Sequence, residues 1–248
     1  LDGDGDLDLV EANLAHPRFF SFSNKTRILL NDGKGTFNDI QGDWTKPAGD
    51  TGLRYQETHS VPVLGDFDQD GALDLAITAT YDGRPSDFYW GNGDGTFVLA
   101  NDSAGIEVTG AWGMAVSDFD HDGDLDLAAT GVFYRNDLVT GGRSGRTKGG
   151  WMQVGARGTK KCNRAAIGAT VRLKGGDRTF VRHVSGGNGQ GGQDSAVLHF
   201  GLGDTASIET IEVDFPGKGT VTVKGPWKAG RRLWVDEDGK VTEGWKAP

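Results

Sequence analysis

The sequence predicts an all-β chain, a partial β-propeller followed by a small C-terminal β-sandwich-like domain. Three observations carry this. Asp supplies 28 of the 35 acidic side chains, and Gly 41 of the 248 residues; both prefer turns, whereas helix surfaces are acidified mostly by Glu. An Asp-rich element recurs through the first half at intervals suited to propeller blades. The stretches between turns are short and β-prone, the pattern of antiparallel strands.

Charge divides the chain before any element is placed. Residues 1–140 carry 25 acidic and 8 basic side chains, and residues 141–248 carry 10 and 18. Such asymmetry predicts two modules. The expected boundaries are 1–140 for the blades, 141–150 for a Gly-rich linker, 151–240 for the second domain and 241–248 for a tail. No apolar run approaches the ~20 residues that span a bilayer. The lone Cys162 excludes a disulfide scaffold. A hydrophobic content of 36%, with seven Trp, is enough for a core.

In the acidic half the repeat reads Asp66-Phe-Asp68-Gln-Asp70-Gly71-Ala72-Leu-Asp74, then Asp118-Phe-Asp120-His-Asp122-Gly123-Asp124-Leu-Asp126. A truncated copy, with Asp2, Asp4 and Asp8, opens the chain. A companion element, Asn31-Asp-Gly33-Lys-Gly35-Thr-Phe37, recurs as Asn92-Gly93-Asp-Gly95-Thr-Phe97 and survives after the last copy only as Asn136-Asp137. Strands are expected at Leu73–Thr80, Asp87–Trp90, Gly113–Val116 and Leu125–Phe133. Fewer than three blades cannot close a ring, so the chain is expected to be the C-terminal part of a longer propeller.

Carboxylates at positions 1, 3, 5 and 9, a backbone carbonyl at position 7 and a turning Gly at 6 describe an all-oxygen cage for a hard cation, Ca²⁺ in preference to Mg²⁺. No His/Cys set accompanies them, which argues against zinc. An EF-hand would need Glu at position 12, where Ile77 and Ala129 stand, and a helix where the sequence reads as strand. The ligands expected in the first complete loop are Asp66, Asp68, Asp70, Ala72 (backbone) and Asp74. In the second they are Asp118, Asp120, Asp122, Asp124 (backbone) and Asp126. The N-terminal copy lacks its first ligand, leaving Asp2, Asp4 and Asp8 as the candidate ligands of a third, truncated calcium site.

These loops, with Gly113-Met-Ala-Val-Ser before the second and the companion element after them, resemble FG-GAP/VCBS repeats, which build the integrin-α-like calcium-binding β-propeller. The second half is similar to an ASPIC/UnbV domain at Trp151-Met-Gln-Val, Asn163-Arg164-Ala-Ala-Ile-Gly168, Val184-Ser-Gly186-Gly187, His199-Phe-Gly-Leu-Gly203 and Val213-Asp-Phe-Pro-Gly217. Six strands are expected there: Ala169–Lys174, Thr179–Ser185, Ala196–Phe200, Ile208–Phe215, Thr220–Lys224 and Arg232–Val235. That number favours a small sandwich. The resemblance implies a fold and calcium ligands but no catalytic residues.

Other signals have plainer readings. Gly187-Asn-Gly189-Gln-Gly191-Gly192 matches a dinucleotide fingerprint literally, but a strand follows it instead of a helix, so a mobile hairpin loop is expected. Ser144 lacks nucleophile-elbow spacing. Cys162 is expected to be an ordinary free thiol and His121 to be solvent-exposed. Arg157, Lys160, Lys161, Arg164, Arg172, Arg178 and Arg182 are expected to form a solvated face in preference to a patch for acidic glycans or phosphates. Trp90 and Trp112 could be core or sugar platforms. A pI near 5.0 argues against nucleic acid.

The expected function is a non-catalytic, calcium-binding adhesion or interaction module outside the cell, at its surface or in the periplasm. Its partner would be a protein or glycan. The alternatives are a piece of a secreted propeller enzyme acting on glycans, with its active site elsewhere, and a structural subunit of a surface assembly.

Overall fold

The computed structural model describes residues 1–14, 25–42, 50–54, 58–137 and 149–246. Within them the chain is almost wholly β, in five sheets. Three are blade-like. The first holds β1 (Leu9–Glu11), β2 (Arg27–Asn31) and β3 (Phe37–Asp39), and the second β4 (His59–Gly65), β5 (Asp74–Ala79), β6 (Asp87–Gly91) and β7 (Phe97–Leu99). One helical turn, α1 (Asn101–Ala104), leads to the third: β8 (Met114–Ser117), β9 (Asp126–Ala129) and β10 (Val132–Tyr134). All pair antiparallel with their sequence neighbours.

Period-two alternation explains how the blades stack. Strand β5 is buried along its whole length. One face sends Leu75 and Ile77 into a cluster with Ile28, Tyr89 and Phe97 toward the first sheet. The other sends Ala76 into a cluster with Phe88, Met114 and Leu127 toward the third. Phe67 and Phe88 meet edge-to-face at 5.3 Å inside that second cluster. Their repeat equivalents, Phe119 and Phe133, pair at 5.8 Å but stand 48% and 73% exposed on the outer face of the third sheet.

The remaining strands form two four-stranded sheets. One is ordered β14-β11-β17-β18, from β11 (Gly150–Arg157), β14 (Val197–Gly203), β17 (Arg231–Asp236) and β18 (Val241–Glu243). The other is ordered β13-β12-β15-β16, from β12 (Thr170–Gly175), β13 (Arg178–His183), β15 (Ser207–Phe215) and β16 (Gly219–Lys228). Among the described residues only β11 and β17 pair in parallel. The inner faces of the two sheets share one core, with Phe200, Phe215, Leu173, Ile211 and Leu233 fully or almost fully buried.

Several expectations change. The stretch Leu125–Phe133 is a hairpin, not one strand, because Gly131 adopts φ 75° between β9 and β10. Among the described residues the sandwich has eight strands where six were expected. Strand β11 is punctuated by Gln153 and by Gly155, where a Cβ would overlap the Trp234 ring. Val241–Glu243, expected to begin a tail, pairs with β17 as an edge strand. Of the expected linker, Gly141–Lys148 and with it Ser144 lie outside the described residues, and Gly150 already opens β11.

Candidate metal centre

Each complete Asp loop joins two strands of its blade and folds by the same local chemistry. Its position-6 glycine, Gly71 or Gly123, adopts φ 95° or 97°, a region an L side chain rarely enters. That turn aims the glycine N–H at the first carboxylate: Gly71 N donates to Asp66 Oδ2 at 2.9 Å, Gly123 N to Asp118 Oδ2 at 3.2 Å. The Phe67 and Phe119 amides donate to Oδ2 of Asp74 and Asp126 at 2.8 and 3.0 Å.

The ninth position explains the companion element. Oδ1 of Asp8, Asp74 and Asp126 accepts the backbone N–H of Asn31, Gly91 and Asn136, at 2.9, 2.9 and 2.8 Å. These donors stand at or just before the companion asparagines. The two motifs recur together because one clamps the last carboxylate of the other.

Ligand atoms of Asp66, Asp68 and Asp74 lie within 4.8 Å of one another, as do those of Asp118, Asp120 and Asp126. Asp66, Asp68, Asp74, Asp118 and Asp126 are buried and Asp120 is exposed. Asp70 and Asp122, at position 5, accept the Ala72 and Asp124 amides at 2.8 and 2.9 Å and lie outside the convergent triplets. The Asp124 side chain accepts Gln69 Nε2 at 2.6 Å. In the N-terminal copy Asp2 and Asp4 bond to the backbone amides of Asp4 and Asp6, and Asp8 Oδ2 meets the α-amino group of Leu1. Among the described residues that copy forms no convergent group.

Both complete loops fit a hard cation. The remaining oxygen of each first carboxylate, Asp66 Oδ1 and Asp118 Oδ1, is buried with no hydrogen-bond partner. A buried acceptor left unpaired costs about 1–3 kcal/mol, more if charged. Burial pushes Asp66 up to about 7, with Asp70 and Asp68 adding repulsion and Arg182 opposing it. Burial likewise raises Asp74 well above the carboxylate range, helped by Asp68 and Asp66, and raises Asp126 to about 6. Clustered ionised carboxylates need a positive charge among them, and a purely oxygen donor set suits calcium or magnesium.

The sandwich lies directly on these loops, which sequence reasoning did not anticipate. Gly203 N donates to Gln69 O at 3.0 Å, and a Cβ on Gly201 would overlap the Asp66 carboxylate. Trp151 fills the space a Cβ on Gly123 would need, and His199 Nε2 lies 2.9 Å from Gly123 O. Gln153 Nε2 reaches Asp118 Oδ2 at 2.6 Å, and Arg232 Nε donates to Gln153 Oε1 at 2.6 Å. The two loops also touch each other, since Gln69 Nε2 donates to Gly123 O at 3.0 Å. Gln69 stands at a non-ligand position of its loop, Gln153 within Trp151-Met-Gln-Val and Arg232 in an expected strand; no signal in the sequence marks their contacts.

The expected solvated basic face is only partly right. Lys160, Lys161, Arg164 and Arg178 are exposed. Arg182 is half-buried with Nη2 sealed from solvent, stacks 5.4 Å over Phe200, and is drawn toward Asp66 and Asp74. Arg182 therefore belongs to the underside of the first loop. The Gly187–Gly192 loop is followed by a strand, as expected, but it packs on β8. Val116 N donates to Asp194 Oδ1 at 2.8 Å, Ser195 N to Val116 O at 3.1 Å, and a Cβ on Gly192 would strike Met114 O. His121 is exposed, yet its ring meets that of Trp245 in a tilted contact at 4.7 Å. Trp90 meets Phe88 edge-on and Trp112 is exposed. Burial and the nearby Glu237 raise the Cys162 thiol, consistent with an ordinary free thiol.

Two buried networks also escaped sequence reasoning. Asp87 binds Arg54, Tyr89 (2.8 Å) and His59 Nε2 (3.1 Å), while His59 Nδ1 contacts Thr26 at 3.0 Å. This chain has the order of a hydrolytic triad, but Thr26, His59 and Asp87 are sealed within the blades. The Glu237 carboxylate accepts four successive backbone amides, Thr159 to Cys162, which hold it down at about 2.

Comparison with family models matches the FG-GAP-like repeat to residues 1–77 and 66–129, and the ASPIC and UnbV domain to residues 158–242. No curated protein matches the chain.

Proposed function

The chain belongs to the FG-GAP-like repeat family and carries an ASPIC and UnbV domain, and from that premise we propose that it is a non-catalytic interaction module whose blade loops bind calcium. The observation that carries this is the pair of convergent carboxylate triplets, each with one buried, unpartnered oxygen on its first aspartate. Asp66, Asp68 and Asp74 would hold one ion and Asp118, Asp120 and Asp126 the other. Asp70, Asp122 and the carbonyls of Ala72 and Asp124 stand in the loop positions that complete such a cage. A bound divalent ion supplies two positive charges to each cluster. The residues' own part is rigidity: the glycine turns and the companion-element amides hold the carboxylates in place before any ion arrives.

The module acts outside the cell or in the periplasm, where millimolar calcium suits sites that need not be tight. Among the described residues no helix is long and apolar enough to cross a membrane. Its partner is a protein or glycan, met by the exposed loop and blade surfaces. The exposed Phe119–Phe133 pair beside the second loop supports a contact surface there.

The test is a calorimetric calcium titration of the chelator-stripped full chain, with melting curves in calcium and in EGTA. Two equivalents are expected, Asp68→Ala and Asp120→Ala each removing one. Calcium at a hundred times the dissociation constant adds about 2.7 kcal/mol per site, so EGTA should lower the melting temperature clearly. No binding heat and identical melting curves would overturn the reading.

A further inference from the structure

The two loops share a motif but not an environment, and the difference lies in what the sandwich brings to the first aspartate. At Asp66, Oδ2 has the Gly71 amide, and the sandwich brings up Gly201, which has no side chain to offer, and Arg182, which acts on Asp66 by charge while its Nη1 donates to Val181 O and its Nη2 has no hydrogen-bond partner. At Asp118, Oδ2 has the Gly123 amide and also the side-chain amide of Gln153, from β11 of the sandwich. The direction of that amide is settled chemically. A guanidinium only donates, so the Arg232 Nε contact at 2.6 Å claims the Gln153 oxygen and turns its NH₂ toward Asp118. Arg232 is itself fixed, 4.2 Å over the Trp245 ring and bonded to Trp245 O at 3.4 Å. Arg232 Nη2 also stands 3.7 Å from Asp118 Oδ2. With Oδ2 held from two sides, Asp118 Oδ1 is left buried and unpartnered among the loop's ligand atoms.

We propose that Gln153, oriented by Arg232, is a positioning residue for the second cation site, so that cation binding there and docking of the sandwich on the blades are linked. This rests on the calcium reading of the loops. A ligand carboxylate fixed by an outer hydrogen bond binds without first losing rotational freedom, and removing such partners typically weakens metal affinity ~10–100-fold. Linkage is reciprocal: if the docked sandwich strengthens the site, the ion strengthens docking by the same factor.

The experiment uses the full chain and Gln153→Met, which keeps side-chain volume and removes the amide. Calcium is titrated calorimetrically, and terbium by luminescence excited through tryptophan, with Trp151, packed on Gly123, as the antenna for the second loop. Trp151→Phe identifies that signal. The expected result is ~10-fold weaker binding at the second loop with the first unchanged. Wild type that binds no cation would sink the calcium reading itself. Wild type that binds two, with a folded Gln153→Met equally tight at both, would overturn this inference alone. Hydrogen exchange of the wild-type chain gives a reading that needs no variant. Calcium should slow exchange in peptides covering Gly150–Arg157 and Arg231–Asp236, which contain no loop ligand; unchanged exchange there would refute the linkage.

Discussion

Replacing Asp66 by Asn should stabilise the calcium-free chain, and calcium should take back most of that advantage. In the metal-free chain Asp66 titrates at about 7, because burial and the neighbouring Asp70 and Asp68 disfavour its charge, against an ordinary 3.8 in the unfolded state. A group raised on folding contributes its stability in the protonated form, so that contribution is lost as pH rises from about 4 through about 7. Above pH 7 the ionised Asp66 therefore costs on the order of 4 kcal/mol, and at pH 5 roughly 1.5 kcal/mol. Asn keeps the acceptor for the Gly71 amide without the charge. In EGTA at pH 8, Asp66→Asn should melt about 8–16 °C above wild type, at 2–4 °C per kcal/mol for a chain of this size. The gap should narrow at pH 5. In calcium at a hundred times the dissociation constant the gap should shrink by about 2.7 kcal/mol, since wild type gains the ion's binding energy at that loop and the variant does not. Calorimetric melts at the two pH values, with and without calcium, decide it. A variant less stable than wild type in EGTA at pH 8, or a gap independent of pH, would refute the electrostatic reasoning.

Two further tests address the joint and the sandwich. Gly201→Ala puts a methyl group into the Asp66 carboxylate; it should weaken calcium binding at the first loop and lower the melting temperature, while leaving the second loop's terbium signal intact. Glu237→Gln replaces a carboxylate held by four amides and should melt lower at neutral pH. Because Glu237 is depressed to about 2 from an ordinary 4.5, its contribution is present above about 4.5 and lost as pH falls through about 2. The wild-type advantage should shrink across that window in acid melts.

What the sequence determined by itself is local. The Asp-x-Asp-x-Asp-Gly-x-x-Asp loops, their glycine turns and the strands that follow are specified within a dozen residues, because turn geometry and carboxylate spacing depend on near neighbours. The division into an acidic, bladed half and a basic sandwich was legible for a related reason: charge and period-two patterning sum over each module. Thirteen of the 28 Asp lie in the three loop copies, so the repeat alone locates nearly half of them. Strands β11 and β18 were not legible, since their pairing partners lie elsewhere in the chain and their composition is ordinary.

Only the tertiary structure decided that the sandwich sits on the loops. Gln153 is separated from Asp118 by 35 residues and Arg232 from Gln153 by 79, and a glutamine and an arginine on separate strands announce nothing in sequence. The same holds for Arg182, which composition assigns to a solvated face and packing turns toward Asp66 and Asp74. The physical reason is common to all of them. A carboxylate loop encodes its own shape, but what neutralises its buried charge is chosen by whichever surface the fold brings against it.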